Sequence, residues 1–180
     1  MISELRKKKL TKVFNTLDSD GSGVITKADL EKSFESTVAI RGYKPGTSEY
    51  QSAYDQSVTQ QWNDLATMDS NNDGEVTLEE FIAYYDKPAS DPTLNQLIAA
   101  GGEVLFSMGD ADGSGQIGLS EFKQMNAAWQ SDEGQAEATF TQLDQNGDGS
   151  ISKEEFLAHC KDFFFSDDPK APGNLILGPV

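Results

Sequence analysis

The run Asp144 to Glu155, DQNGDGSISKEE, places oxygen-bearing side chains at alternate positions, Asp144, Asn146 and Asp148. Gly149 permits a sharp turn, Ile151 is apolar, and Glu155 closes the run at position twelve. Oxygens at this spacing can wrap a hard cation, and Ca²⁺ takes six to eight of them at roughly 2.3–2.6 Å. Positions one, three, five and twelve supply side chains. Position seven, here Ser150, supplies its backbone carbonyl, so its side chain hardly matters to ligation.

The same order recurs three times. Asp18, Asp20, Ser22, Val24 and Asp29 hold positions one, three, five, seven and twelve of the run 18–29. Asp69, Asn71, Asp73, Glu75 and Glu80 do so in 69–80, and Asp110, Asp112, Ser114, Gln116 and Glu121 in 110–121. This is the pattern of EF-hand loops. An internal repeat should also match outside the ligands. Four residues before each loop stands Phe14, Leu65, Phe106 or Phe140, and just after it Leu30, Phe81, Phe122 or Phe156. Position six is Gly23, Gly74, Gly115 or Gly149, and position eight is Ile25, Val76, Ile117 or Ile151. β-Branched residues at position eight suit a short strand joining two loops. The first loop differs in ending on Asp29, one methylene shorter than Glu, which favours a six-coordinate cage nearer to the demand of Mg²⁺.

The loops need helices on either side. Leu10, Val13, Phe14 and Leu17 recur at helical spacing before the first loop, and Leu30, Phe34 and Val38 follow it. Arg6 to Lys9 read as a solvated basic face of that first helix. After the turn residues Arg41 to Gly46, Ser48 with Gln51 resembles a capping box. It opens a helix lined by Tyr50, Tyr54, Val58, Trp62 and Leu65. Pro88 and Pro92 mark the boundary between halves, with Asp91 as N-cap and Pro92 as first helical residue. Leu97, Leu105 and Phe106 line the next entry helix, and Phe122, Met125 and Trp129 its exit. The expected organisation is an N-terminal pair over 1–87, a C-terminal pair over 88–162 and a tail, 163–180, packing back on the core. The fold class is all-α, with two EF-hand pairs packed into one compact globule and short antiparallel β pairing between loops.

A formal charge of −16 argues against nucleic acid and against docking on anionic lipid. Much of it lies in the four loops, and four Ca²⁺ ions would halve it. Cys160 stands alone, so a disulfide framework is excluded. Neither a signal-peptide core nor a bilayer-length apolar run is present, which leads to the expectation of a cytoplasmic monomer without stable membrane anchoring. His159 and Cys160 are neighbours that point different ways on a helix, without a second His, so no catalytic role and no zinc site are assigned.

Together with the ending DFFFSDDPKAPGNLILGPV, the start KVFNTLDSDGSG and a long insert between the first two loops, these features resemble the invertebrate sarcoplasmic calcium-binding proteins and calexcitins, with bacterial calerythrin as a further relative. The resemblance covers essentially the full length. It implies two EF-hand pairs in one globule and Ca²⁺/Mg²⁺ buffering in the cytosol. Members commonly have one degenerate loop, often the second, whereas 69–80 is intact here, so three or four ions are expected. Two other functions compete with buffering: a calexcitin-like sensor acting on a protein target, and a carrier of a coelenterazine-type ligand lined by Tyr54, Trp62, Tyr84, Tyr85 and Trp129. A sensor groove is usually rich in Met, and this chain has four, scattered. Leu175-Ile176-Leu177, with Phe163 to Phe165 as its base, is expected to fill that groove instead.

Overall fold

The computed structural model describes residues 2–128 and 133–178. Trp129, assigned above to an exit helix, lies outside them. The chain divides into one unit of Met1–Lys9 with Lys87–Val180 and a second of Leu10–Asp86, the division falling inside the first helix.

In the second unit, helix α1 (Glu4–Leu17) runs into the first loop, strand β1 (Val24–Ile25) crosses it, and α2 (Lys27–Arg41) leaves it. After a turn, the connecting segment carries three consecutive helical stretches: α3 (Ser48–Tyr54), a π-helical stretch (Asp55–Gln60) and α4 (Gln61–Ala66). Strand β2 (Val76–Thr77) and α5 (Leu78–Tyr85) complete the second loop's unit. β1 and β2 pair antiparallel, with Ile25 opposite Val76. Both side chains are fully buried, as position eight requires. Phe14 and Phe81 meet edge to face at 5.8 Å, so the residue before one loop packs on the residue after the other.

The π-helical stretch has a reason in the sequence. Tyr50, Tyr54, Val58 and Trp62 are spaced by four, and at 3.6 residues per turn such a stripe drifts by about 40° per step. A wider π turn absorbs that drift and keeps Val58 fully buried. Tyr50 and Tyr54 close on the Phe34 ring at 5.3 and 5.4 Å. The helix starts one residue earlier than its capping pattern suggests. Thr47 is the N-cap, extended at φ −87° and accepting from the Tyr50 N–H at 3.2 Å, and Ser48 is already helical.

In the first unit, α6 (Pro92–Gly109) opens as anticipated, with Asp91 accepting from the Leu94 N–H at 2.8 Å and Pro92 as the first helical residue. It turns Leu94, Ile98 and Phe106 inward, whereas Leu97 and Leu105 are half-buried. Strand β3 (Gln116–Gly118), α7 (Leu119–Ala128), α8 (Glu133–Leu143), β4 (Ser150–Ser152) and α9 (Lys153–Phe165) follow. β3 and β4 pair antiparallel with Ile117 opposite Ile151, both fully buried. His159 is buried on α9 and its Nε2 lies 2.7 Å from the Leu143 carbonyl, which serves the end of α8 just before the fourth loop. Cys160 beside it is also buried, and desolvation pushes its thiol up to about 12, far from a reactive thiolate.

The chain after α9 folds back as a short 3₁₀ turn, Pro172–Leu175, lying against α8 and α9. A β-carbon on Gly173 would sit 2.6 Å from the His159 carbonyl, so only glycine allows this approach. Ile176 is fully buried, and Leu175 and Leu177 are half-buried. The basic cluster of α1 is not one solvated face. Lys9 is enclosed, its Nζ donating to the Ser166 carbonyl at 2.7 Å and to Asn174 Oδ1 at 2.9 Å. Arg6 donates to the Phe164 carbonyl at 2.9 Å, while Lys7 pairs with Glu4 near solvent. Burial, with Arg6 nearby, lowers the Lys9 ammonium to about 8 despite Asp167 and Asp162. These bonds explain why residues 1–9, placed by sequence with the N-terminal pair, associate with the C-terminal part.

Candidate metal sites

Each loop is built by the same two clamps. The position-six glycine N–H donates to Oδ2 of the position-one Asp: Gly23 to Asp18 at 2.9 Å, Gly74 to Asp69 at 2.9 Å, Gly115 to Asp110 at 3.0 Å and Gly149 to Asp144 at 2.9 Å. These glycines have φ between 83° and 88°, the left-handed region that a β-carbon resists. The second clamp holds position twelve, which in the first, second and fourth loops also closes a capping box on the exit helix. One carboxylate oxygen accepts from the position-nine N–H: Thr26 to Asp29 at 2.8 Å, Thr77 to Glu80 at 3.0 Å, Gly118 to Glu121 at 2.9 Å and Ser152 to Glu155 at 3.0 Å. The other accepts from the start of the loop, from Ser19, Ser70 and Ala111 at 3.0, 3.0 and 2.9 Å and from Asn146 at 3.3 Å. Position twelve thus stitches loop entry to loop exit.

The oxygens converge. Asp18, Asp20 and Asp29 each bring a carboxylate oxygen within 4.8 Å of the others, and Asp110, Asp112 and Glu121 do the same. Among the described residues no other three acids gather so closely. In the second and fourth loops an Asn holds position three and is tied to position five, Asn71 Nδ2 to Asp73 at 2.8 Å and Asn146 Nδ2 to Asp148 at 3.0 Å. Ser22, Ser114 and Ser150 hydroxyls and N–H groups hold Asp20, Asp112 and Asp148 below the ordinary carboxylate range. Burial raises Asp29, but the Thr26 N–H and hydroxyl and the Ser19 hydroxyl outweigh it and bring it down. Glu80 is lowered to about 2 by the Thr77 N–H, then by the Ser70 and Thr77 hydroxyls. Clustered, ionised oxygens held by N–H and hydroxyl donors are the donor set of a hard divalent cation, so the residues present fit Ca²⁺. Asp29 is almost fully buried and accepts several such bonds, so the closing carboxylate of the first loop is the most enclosed of the four.

The EF-hand domain pair model matches residues 7–86 and 103–161. The chain belongs to the EF-hand family. Its EF-hand relatives include calerythrin of Saccharopolyspora erythraea, 26% identical over 170 residues, 92% of this chain and 95% of that protein. Mitrocomin of Mitrocoma cellularia is 30% identical over 169 residues, 89% of this chain and 83% of that protein. The solved sarcoplasmic calcium-binding protein of amphioxus superposes with a TM-score of 0.83 at 20% identity, covering 100% of both chains, and so shares the fold. The chain is a calcium-binding EF-hand protein with the fold of that sarcoplasmic protein.

Two positions escaped the sequence reading of these EF-hands. Position four is left-handed in every loop, through Gly21, Asn72, Gly113 and Gly147, with Asn72 at φ 59°. Position nine supplies the N–H that fixes position twelve, and the hydroxyls of Thr26, Thr77 and Ser152 reinforce it at 2.8, 2.9 and 2.8 Å. Gly118 has no hydroxyl to add. The signal was legible, since Thr, Thr, Gly and Ser three residues before position twelve read as helix N-caps.

Proposed function

We propose that the chain buffers Ca²⁺, exchanging it with Mg²⁺, as a cytoplasmic monomer that needs no protein target. The ligands are the side chains at positions one, three, five and twelve of all four loops, with the carbonyls of Val24, Glu75, Gln116 and Ser150. Asp29, too short to reach a cation through both oxygens while holding Thr26 and Ser19, makes the first loop the weakest for Ca²⁺ and the best suited to Mg²⁺. The relation to sarcoplasmic calcium-binding proteins supports this reading.

The observation that carries buffering over sensing is the tail. A sensor needs an apolar surface that opens to a partner when the ion arrives. Here Gly173 is pressed on the α9 backbone, Ile176 is fully buried and Lys9 fastens Asn174. The apolar face of α9 is occupied by the chain's own segment. The test is binding of an environment-sensitive dye to the full chain and to a variant truncated after Pro169. A buffer keeps dye binding low with and without Ca²⁺ until the tail is removed. A full-length chain that gains dye binding on adding Ca²⁺ would be a sensor.

A further inference from the structure

The two loop pairs differ in what joins them besides their backbone ladders. Across β3 and β4, Ser150 Oγ lies 3.0 Å from Gln116 Oε1 and 2.8 Å from Asp148 Oδ1. A serine hydroxyl has one proton and two lone pairs. Its single proton can therefore go to Asp148 Oδ1 or to Gln116 Oε1, but not to both at once. Asp148 is position five of the fourth loop, and Gln116 is position seven of the third. The Gln116 carbonyl in turn accepts from Ser114 Oγ, position five of the third loop, at 3.0 Å. A continuous run of polar contacts thus links position five of one loop to position five of the other. In the N-terminal pair the corresponding position-seven residues are Val24 and Glu75, and Val24 has no polar side-chain atom with which to build such a run.

We propose that Gln116 and Ser150 are positioning residues that couple ion capture by the third and fourth loops. This rests on the ligand assignment above. A cation held by the fourth loop would draw on Asp148 and leave the Ser150 hydroxyl to donate to Gln116 Oε1. That fixes the Gln116 side chain and, through its backbone, the carbonyl that faces the third loop's cation. Filling one loop thereby pre-orders a ligand of the other, the physical content of a coupling free energy.

The test is a thermodynamic cycle on the full chain, with Ca²⁺ titrations followed by the amide signals of Gly115 and Gly149, which report the two loops separately. Glu155→Gln disables the fourth loop, and the resulting loss of affinity in the third measures the coupling. About a fivefold loss or more is expected in the parent chain. In Gln116→Val and in Ser150→Ala backgrounds the same substitution should change the third loop by less than twofold. Ser150→Thr, which keeps the hydroxyl, should retain the parent coupling. An undiminished coupling in both Gln116→Val and Ser150→Ala overturns the inference while leaving the sites intact. Absence of any Ca²⁺-dependent shift at Gly115 and Gly149 would overturn the ligand assignment itself, and the inference with it.

Discussion

Glu80 shows how much of each loop is prepared before a cation arrives. Its two oxygens accept from Thr77 and Ser70 at opposite ends of the loop, and these donors lower its carboxyl to about 2. A carboxylate depressed from the ordinary 4.5 stabilises the folded state above pH 4.5 and loses that contribution as pH falls through its folded value. Acid titration of the calcium-free protein should show stability declining between pH 4.5 and 2, and Glu80→Gln should flatten part of that decline. Asn72 bears on the same loop. An alanine there keeps the left-handed backbone without an amide side chain that tolerates it, so Asn72→Ala should lower calcium-free stability by about 1 kcal/mol in a thermal melt. Glu155→Gln removes charge from the closing ligand of the fourth loop and should weaken that site at least about tenfold, or roughly 1.4 kcal/mol, by calorimetry.

At the scale of elements, the tail turn and the start of α1 form one fastening on α9. Gly173→Ala forces a methyl group against the His159 carbonyl, an overpacking worth about 2 kcal/mol. For a chain of this length that lowers the melting midpoint by roughly 4–8 °C. Dye binding should rise with it if the tail covers apolar surface. Helices, loops and ladders were legible in the sequence because they rest on local periodicity. Phe14, Ile25, Val76 and Phe81 sit where the repeat puts them, and all are buried. The tail was expected to pack back on the core, but the share of α1 in fastening it was not legible. Lys9 looks like Lys7 and Lys8 in a run of cations, and only contacts 157 and 165 residues away distinguish it. The π-helical stretch was missed for a related reason, since a spacing of four reads as an α-helical stripe until its drift is followed over three steps. In the loops the candidate ligand positions stood out through their acids, whereas position nine, readable as a helix N-cap, was passed over because its part in the site is a backbone N–H.

For the whole molecule, the four loops concentrate negative charge that a cation relieves. Twelve of the thirty Asp and Glu stand at ligand positions one, three, five and twelve. Without cations the carboxylates repel one another while N–H groups hold them in place, so the calcium-free protein should be folded but less stable, with each bound ion raising the melting midpoint by mass action. Buffering also requires that Mg²⁺ occupy loops at rest and leave slowly. The most direct measurement is a calorimetric Ca²⁺ titration of the full chain, repeated with Mg²⁺ in large excess. Four Ca²⁺ sites are expected, the one closed by Asp29 weakest, with Mg²⁺ lowering the apparent Ca²⁺ affinity of at least that loop. Ca²⁺ binding that Mg²⁺ leaves unchanged at every site, or a first loop that binds Ca²⁺ most tightly, would contradict a Ca²⁺/Mg²⁺ buffer.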